Sequence, residues 1–152
     1  MPRPHGQILR QRTYVAGGEI KVGDVVAVNS AGKVVVAAAA STAGILGVSN
    51  SYASGDGKDV IVCDHPEQEY LIKRSSSAPS AQTDYGLNYD IVATASTTKE
   101  SAHTLDSASG ATTATLCLKA VRASLQAVTS VGDSECVVQV NNHRSRAGVA
   151  GI

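Results

Sequence analysis

Cys63-Asp64-His65-Pro66-Glu67-Gln68-Glu69 crowds a thiol, an imidazole and three carboxylates into seven residues. It is the densest set of groups in this chain that could hold a metal ion. A metal needs such side chains to converge at fixed distances, and neighbouring side chains in a strand-to-strand connection diverge instead. The run therefore reads as a solvated loop, and no metal and no cofactor are expected. Ser54-Gly55-Asp56-Gly57-Lys58 has the glycines of a phosphate loop but not its spacing, and no helix follows to offer an N-terminus. Asp56 and Asp59 do not fit a calcium loop. Serine, histidine and aspartate are all present, but there is no Gly-x-Ser-x-Gly elbow. His5, His65, His103 and His143 are scattered, and nothing adjacent in sequence would orient them as a triad requires. The expectation is a protein that is not an enzyme.

The elements between these groups spell strands. Val25–Val28, Lys33–Val36, Ile45–Val48, Val60–Cys63 and Glu69–Lys73 are short β-branched runs cut by Gly-rich turns. Asn29-Ser30-Ala31-Gly32 predicts a hairpin turn with glycine at the position needing positive φ. Tyr89–Ala93 resumes a strand after a turn at Gly86. Thr115–Val121 and Glu135–Asn141 alternate with period two. Leu116, Leu118 and Ala120 form one face of the first, and Cys136, Val138 and Val140 the core face of the second, with Asn141 outward. Residues 94–113 read as a polar excursion with one helical turn at Ser101–Asp106, and 75–82 as a mobile loop. No helix is long enough for a βαβ crossover. The fold class expected is all-β: a small β-barrel or β-sandwich with an extended N-terminal arm and little helix.

Phe and Trp are absent and five tyrosines are the only aromatics, so valine and alanine must fill the interior. Such a core buries less apolar area per residue than an aromatic one, which makes association with a partner a natural default. Cys63, Cys117 and Cys136 fit neither a zinc pattern nor a disulfide framework and read as buried thiols of a reducing compartment. Met1–Tyr14 has no apolar h-region, and no apolar run has membrane-spanning length, so neither a secretory leader nor a membrane is expected.

Charge divides the chain. Residues 1–14 carry Arg3, Arg10 and Arg12 and no acid, and residues 143–152 carry Arg144 and Arg146. The body between holds eight basic against thirteen acidic residues, net −5. Basic ends on an acidic body suit contact with an acidic surface. Five arginines without a basic helix or interleaved aromatics do not argue direct nucleic-acid binding. The organisation expected is an arm over 1–14, a body over 15–143 and a tail over 144–152. The body reads as one unit or as two β-units of about 15–63 and 64–143. Pro2 and Pro4 keep the arm extended, and a free arm of this kind would stay disordered until it docks. Its candidate binding residues are Pro2, Arg3, Pro4, Ile8, Leu9, Arg10, Arg12 and Tyr14. The arginines would pair with carboxylates while Ile8, Leu9 and Tyr14 fill apolar dimples.

The run Glu19-Ile20-Lys21-Val22-Gly23-Asp24-Val25-Val26, then Gly32-Lys33-Val34, then Ile45-Leu46-Gly47-Val48, resembles the small barrel modules of tailed-bacteriophage head decoration (cement) proteins. Tyr70-Leu71-Ile72, Gly86-Leu87-Asn88-Tyr89-Asp90-Ile91-Val92, Leu105-Asp106-Ser107, Thr115-Leu116-Cys117-Leu118-Lys119 and Val137-Val138-Gln139-Val140-Asn141-Asn142-His143 continue it in order. The resemblance covers roughly residues 16–143. It implies a virion protein on the capsid exterior, made in the host cytoplasm, bound to the major capsid protein at capsomer junctions. It also implies self-association, as a homotrimer in preference to a homodimer. A glycan-binding, adhesin-like barrel and a small β-barrel hydrolase are the alternatives. The first wants exposed aromatics to stack on sugars, and only tyrosines are available.

Overall fold

A computed structural model describes residues 1–38, 44–76, 79, 82–123 and 135–145. The chain is all-β. Its strands are β1 (Arg3–Pro4), β2 (Gln11–Val15), β3 (Glu19–Ile20), β4 (Val25–Val28), β5 (Val34–Val36), β6 (Ile45–Ser49) and β7 (Ala53–Ser54). They continue as β8 (Asp59–Cys63), β9 (Glu69–Lys73), β10 (Asn88–Tyr89), β11 (Ile91–Val92), β12 (Thr104–Leu105), β13 (Leu118–Ala123) and β14 (Glu135–Val140). Two antiparallel five-stranded sheets result, in the orders β1-β9-β14-β13-β10 and β2-β8-β6-β4-β5, with the small pairs β11-β12 and β3-β7 beside them. Apart from β1, the first sheet is drawn from residues after 68 and the second from residues before 64.

The two sheets share a core. Val25, Ala27, Ile45, Val48 and Cys63 of the second sheet cluster with Tyr70, Ile72, Leu118, Ala120, Cys136, Val138 and Val140 of the first. A second cluster, Ile20, Val26, Val34, Leu46, Ala53, Val60 and Val62, covers the opposite face of the second sheet. Burying a valine stabilises by only roughly 1.5 kcal/mol, so a core without Phe or Trp needs many such residues. Apolar cover on both faces of one sheet supplies them. It also explains why β4 and β6 read as unbroken apolar runs rather than alternating ones. The antiparallel pairing of β4 with β6 shifts register between Val26 and Ala27, as at a β-bulge. There Gly47, at φ 156°, lies so close to the Cys63 carbonyl that a Cβ would sit 1.9 Å from its oxygen. The buried Tyr70 hydroxyl donates to that same carbonyl at 2.7 Å.

One parallel bridge, Ala16 with Val34, joins the two edge strands of the second sheet. The Gly17 amide donates to the Val34 carbonyl at 2.7 Å. Toward Arg10 the edges part, and the gap between β2 and the β4–β5 turn forms a mouth.

Several expectations need correction. The arm is extended, but it is no free segment: β1 is an edge of the first sheet and β2 an edge of the second. The boundary after Tyr14 falls inside β2. The reason is chemical, since two carboxylates and one carboxamide of the body hold the arm's polar groups. Asn141 faces inward, donating to the Ala114 and Leu116 carbonyls. The turn expected at Ser101–Asp106 is instead strand β12 followed by a short 3₁₀ turn over Ser107–Ser109, which Asp106 caps. Cys117 and Cys136 are buried free thiols, as their apolar settings predict, and Cys63 is a buried free thiol as well. Part of the loop over 75–82 and the tail beyond 145 lie outside the described residues.

Candidate functional site

The mouth has a volume of about 340 Å³. Arg10, Arg12 and Tyr14 line it from β2, and Asp64, His143 and Arg144 from the body. Strand alternation puts the three arm residues on one face, the face on which Tyr14 packs against the cluster of Val60 and Val62. Asp64 follows directly on β8 and is 1% exposed. Its Oδ1 accepts from Arg10 Nε at 2.7 Å, its Oδ2 from the Tyr14 hydroxyl at 2.5 Å, and its carbonyl from Arg10 Nη2 at 2.9 Å. Arg12 Nε stands 3.9 Å from Oδ2, beyond hydrogen-bond reach. Burial works against the Asp64 charge, but Tyr14, Arg10 and Arg12 outweigh it and hold the carboxyl below its ordinary value. Burial and the neighbouring carboxylate push the Tyr14 phenol up.

His143 closes the floor. Its Nε2 sits 3.0 Å from the Asp64 carbonyl, and its Nδ1 accepts from the Ser145 amide at 3.0 Å. That arrangement assigns the Nε2–H tautomer. Ser145 Oγ lies 2.8 Å from the same Nδ1. The distance is that of a nucleophile and its base, but the nitrogen's one lone pair already receives the Ser145 amide, as in a local turn. His143 is thus oriented by one partner far away in sequence, the Asp64 carbonyl, and by one two residues on, Ser145, where the sequence expectation had nothing to orient it.

The connection after Asp64 is no solvated loop either. Gln68 is 1% exposed and clamps the arm where it crosses between sheets. Its Oε1 accepts from the Leu9 amide at 2.8 Å. Its Nε2 is 3.0 Å from the Glu69 carbonyl, 3.2 Å from that of Gln7 and 3.4 Å from that of His5.

The eight arm residues therefore separate into three groups. Arg10, Arg12 and Tyr14 meet at the mouth. Pro2, Arg3 and Pro4 lie on the first sheet, where Arg3 holds Glu135 through two bonds of 2.6 and 2.8 Å and Pro2 packs under Gly23. Ile8 and Leu9 lie at the crossing, 41% and 49% exposed. Sequence reasoning missed Asp64, Gln68 and His143. Their signal was present in the acid-rich run after Val62, but nothing local marks which acid is buried.

A second cleft, of about 280 Å³, is lined by Glu19, Lys21, Asp24, His103 and the segment 93–96. His103 Nδ1 accepts from the Val25 amide at 3.2 Å, and its Nε2 stands 3.5 Å from Asp24 Oδ1. Lys21 Nζ donates to the Ser96 carbonyl. Among the described residues no three His, Cys, Asp or Glu side chains group as metal ligands.

Comparison with protein-family models, curated proteins and solved structures finds no match to this chain.

Proposed function

We propose that this chain is a structural, non-catalytic binding protein: a decoration protein of a tailed-phage head, seated on the capsid exterior. Its partners are the major capsid protein and further copies of itself, in a trimer rather than a dimer. The carrying observation is an edge strand that is open among the described residues, beside a preformed cationic mouth. The Ala16 amide bonds the Lys58 carbonyl and the Asp64 amide the Arg10 carbonyl. Even-numbered residues of β2 thus exchange backbone bonds with β8, and Gln11 and Thr13 turn theirs outward. An edge of this kind takes another chain by strand addition. The order of β-phrases that resembles phage cement proteins supplies the particular assembly. Many copies multiply a modest contact into shell stability.

The test is to add the purified chain to expanded phage heads assembled without it from the major capsid protein of the same phage. Binding should saturate on co-sedimentation and raise the heads' melting temperature. Neither sedimentation nor a thermal shift at saturating protein would remove the decoration reading.

A further inference from the structure

We propose that the mouth between β2 and the β4–β5 turn receives an extended acidic segment of a separate partner protein. In this docking the segment's backbone adds to the Gln11–Thr13 edge, and its alternate carboxylates enter among Arg12, Arg10 and Arg144. The inference rests on the binding reading above only for the existence of a protein partner.

The mouth has unmet hydrogen-bonding capacity among the described residues. Both carboxylate oxygens of Asp64 are taken, by Arg10 Nε and the Tyr14 hydroxyl. Both nitrogens of His143 are taken, by the Asp64 carbonyl and the Ser145 amide. Arg12 rests against the Tyr14 hydroxyl and lies too far from Asp64 for a hydrogen bond. Among the described residues, most of its five donors are open to the mouth. Arg144 makes no ion pair with a described residue. Three guanidinium groups thus face one buried carboxylate, so the mouth carries an excess of two positive charges. Its unfilled positions are donors, and the group that fits is acceptor-only and planar, a carboxylate. Arg10 is held by two bonds to Asp64, so this wall needs no ordering when a guest arrives.

Strand addition fixes the guest's pattern. A segment paired along the outer edge of β2 places every second side chain on the face of Arg10, Arg12 and Tyr14. Acids at alternate positions follow. A second copy pairing edge to edge through β2 would instead bring two sets of Arg10 and Arg12 onto one face, and like charges across paired strands destabilise.

The probe is the peptide acetyl-Val-Glu-Val-Glu-Val-Glu-amide, with its lysine counterpart as control. Both are titrated into the full chain by calorimetry at low and moderate salt. The glutamate peptide should bind at least tenfold more tightly than the lysine peptide. The R12Q/R144Q double variant should lose that preference while keeping the wild-type circular dichroism, because both side chains are exposed and no new charge is placed beside Asp64. Arg12→Lys should recover part of it, since an ammonium lacks the planar fork. Equal binding of the two peptides, or full binding by the double variant, overturns the proposal. So does competition by inorganic phosphate at the peptide's own concentration, which would mean an anion hole without strand addition. Self-association of the chain alone that the double variant abolishes would put a second copy's acids in the mouth and also overturn it. Heads decorated equally by wild type and double variant would sink this inference and leave the decoration reading standing. Peptide binding without head binding would do the reverse.

Discussion

Asp24 and Asp64 are both buried beside a histidine, and the protein handles their charges in opposite ways. Asp24 is served locally by a neutral donor: its Oδ2 accepts from the Lys21 amide at 2.8 Å. The nearest titratable neighbour is His103, whose burial favours the neutral form. Asp64 is served from the opposite end of the sequence, by two arginines and a tyrosine 50 to 54 residues away. One carboxylate closes a turn; the other fastens a terminal segment to the body. Removing one partner of a buried ion pair costs far more than the pair's net worth, because the remaining charge is stranded. The two centres therefore differ in what breaks when they are disturbed.

The sharpest test is Asp64→Ala. It strands Arg10, uncovers the Tyr14 hydroxyl and frees β2. The expected loss is about 3 kcal/mol in denaturant unfolding, at the low end for a broken buried pair because Arg10 is part-exposed. Amide exchange should accelerate along Gln11–Val15 before global unfolding. A loss under about 1 kcal/mol would mean that backbone pairing with β8, not the carboxylate, holds the arm. Deleting residues 1–14 is a poorer experiment, since it removes two edge strands and leaves Asp64 and Gln68 buried without their partners.

Gln68→Ala addresses the same segment with a neutral group. It removes the acceptor of the Leu9 amide and a donor to three carbonyls. A neutral hydrogen-bonding side chain lost from a buried site costs about 1–2 kcal/mol. Faster exchange should be confined to residues 6–10, with β2 protected. If β2 loosens as well, the clamp and the ion pair form one unit rather than two, and a double-mutant cycle with Asp64→Ala will show coupling.

These two sites also show what a sequence discloses. Val25–Val28 and Glu69–Lys73 are strands with the bounds their residue types predict, because side-chain period and β-branching are local properties. Cys136, Val138 and Val140 are buried as alternation requires, and Val137 is buried as well because both faces of β14 are covered. β2 was not legible. Gln-Arg-Thr-Tyr-Val shows no alternation, since one face of this edge is solvent and the other a polar mouth. Asp64 and Gln68 were not legible for a related reason. Their burial is a property of the pairing between β2 and β8, across 44 to 52 residues, and nothing within the connection encodes it. The arm's arginines were found by charge counting, but charge counting cannot distinguish a partner on another molecule from one in the same chain.

The comparison predicts an order of events on acidification, smaller in size than either substitution. Burial lowers the His103 pKa below its ordinary 6.5, and Asp24 opposes this only in part. The unfolded chain therefore binds that proton more readily. The stabilisation from neutral His103 is complete above about pH 6.5 and is lost as pH falls through the folded value. The Asp64 carboxyl is held below its ordinary 3.8, so its contribution persists above that pH and fades only below it. Between pH 7 and 5 the Asp24 centre should loosen while the Asp64 centre stays intact. The reporter is the Val25 amide, because a proton on Nδ1 ends its bond to His103. Its protection factor should fall across this range while those of Arg12 and Tyr14 hold. His103→Gln should make the Val25 amide insensitive to pH. Parallel loss at Val25 and at the β2 amides would show instead that the two centres titrate together, and that the separation between local and long-range charge handling does not extend to their response to acid.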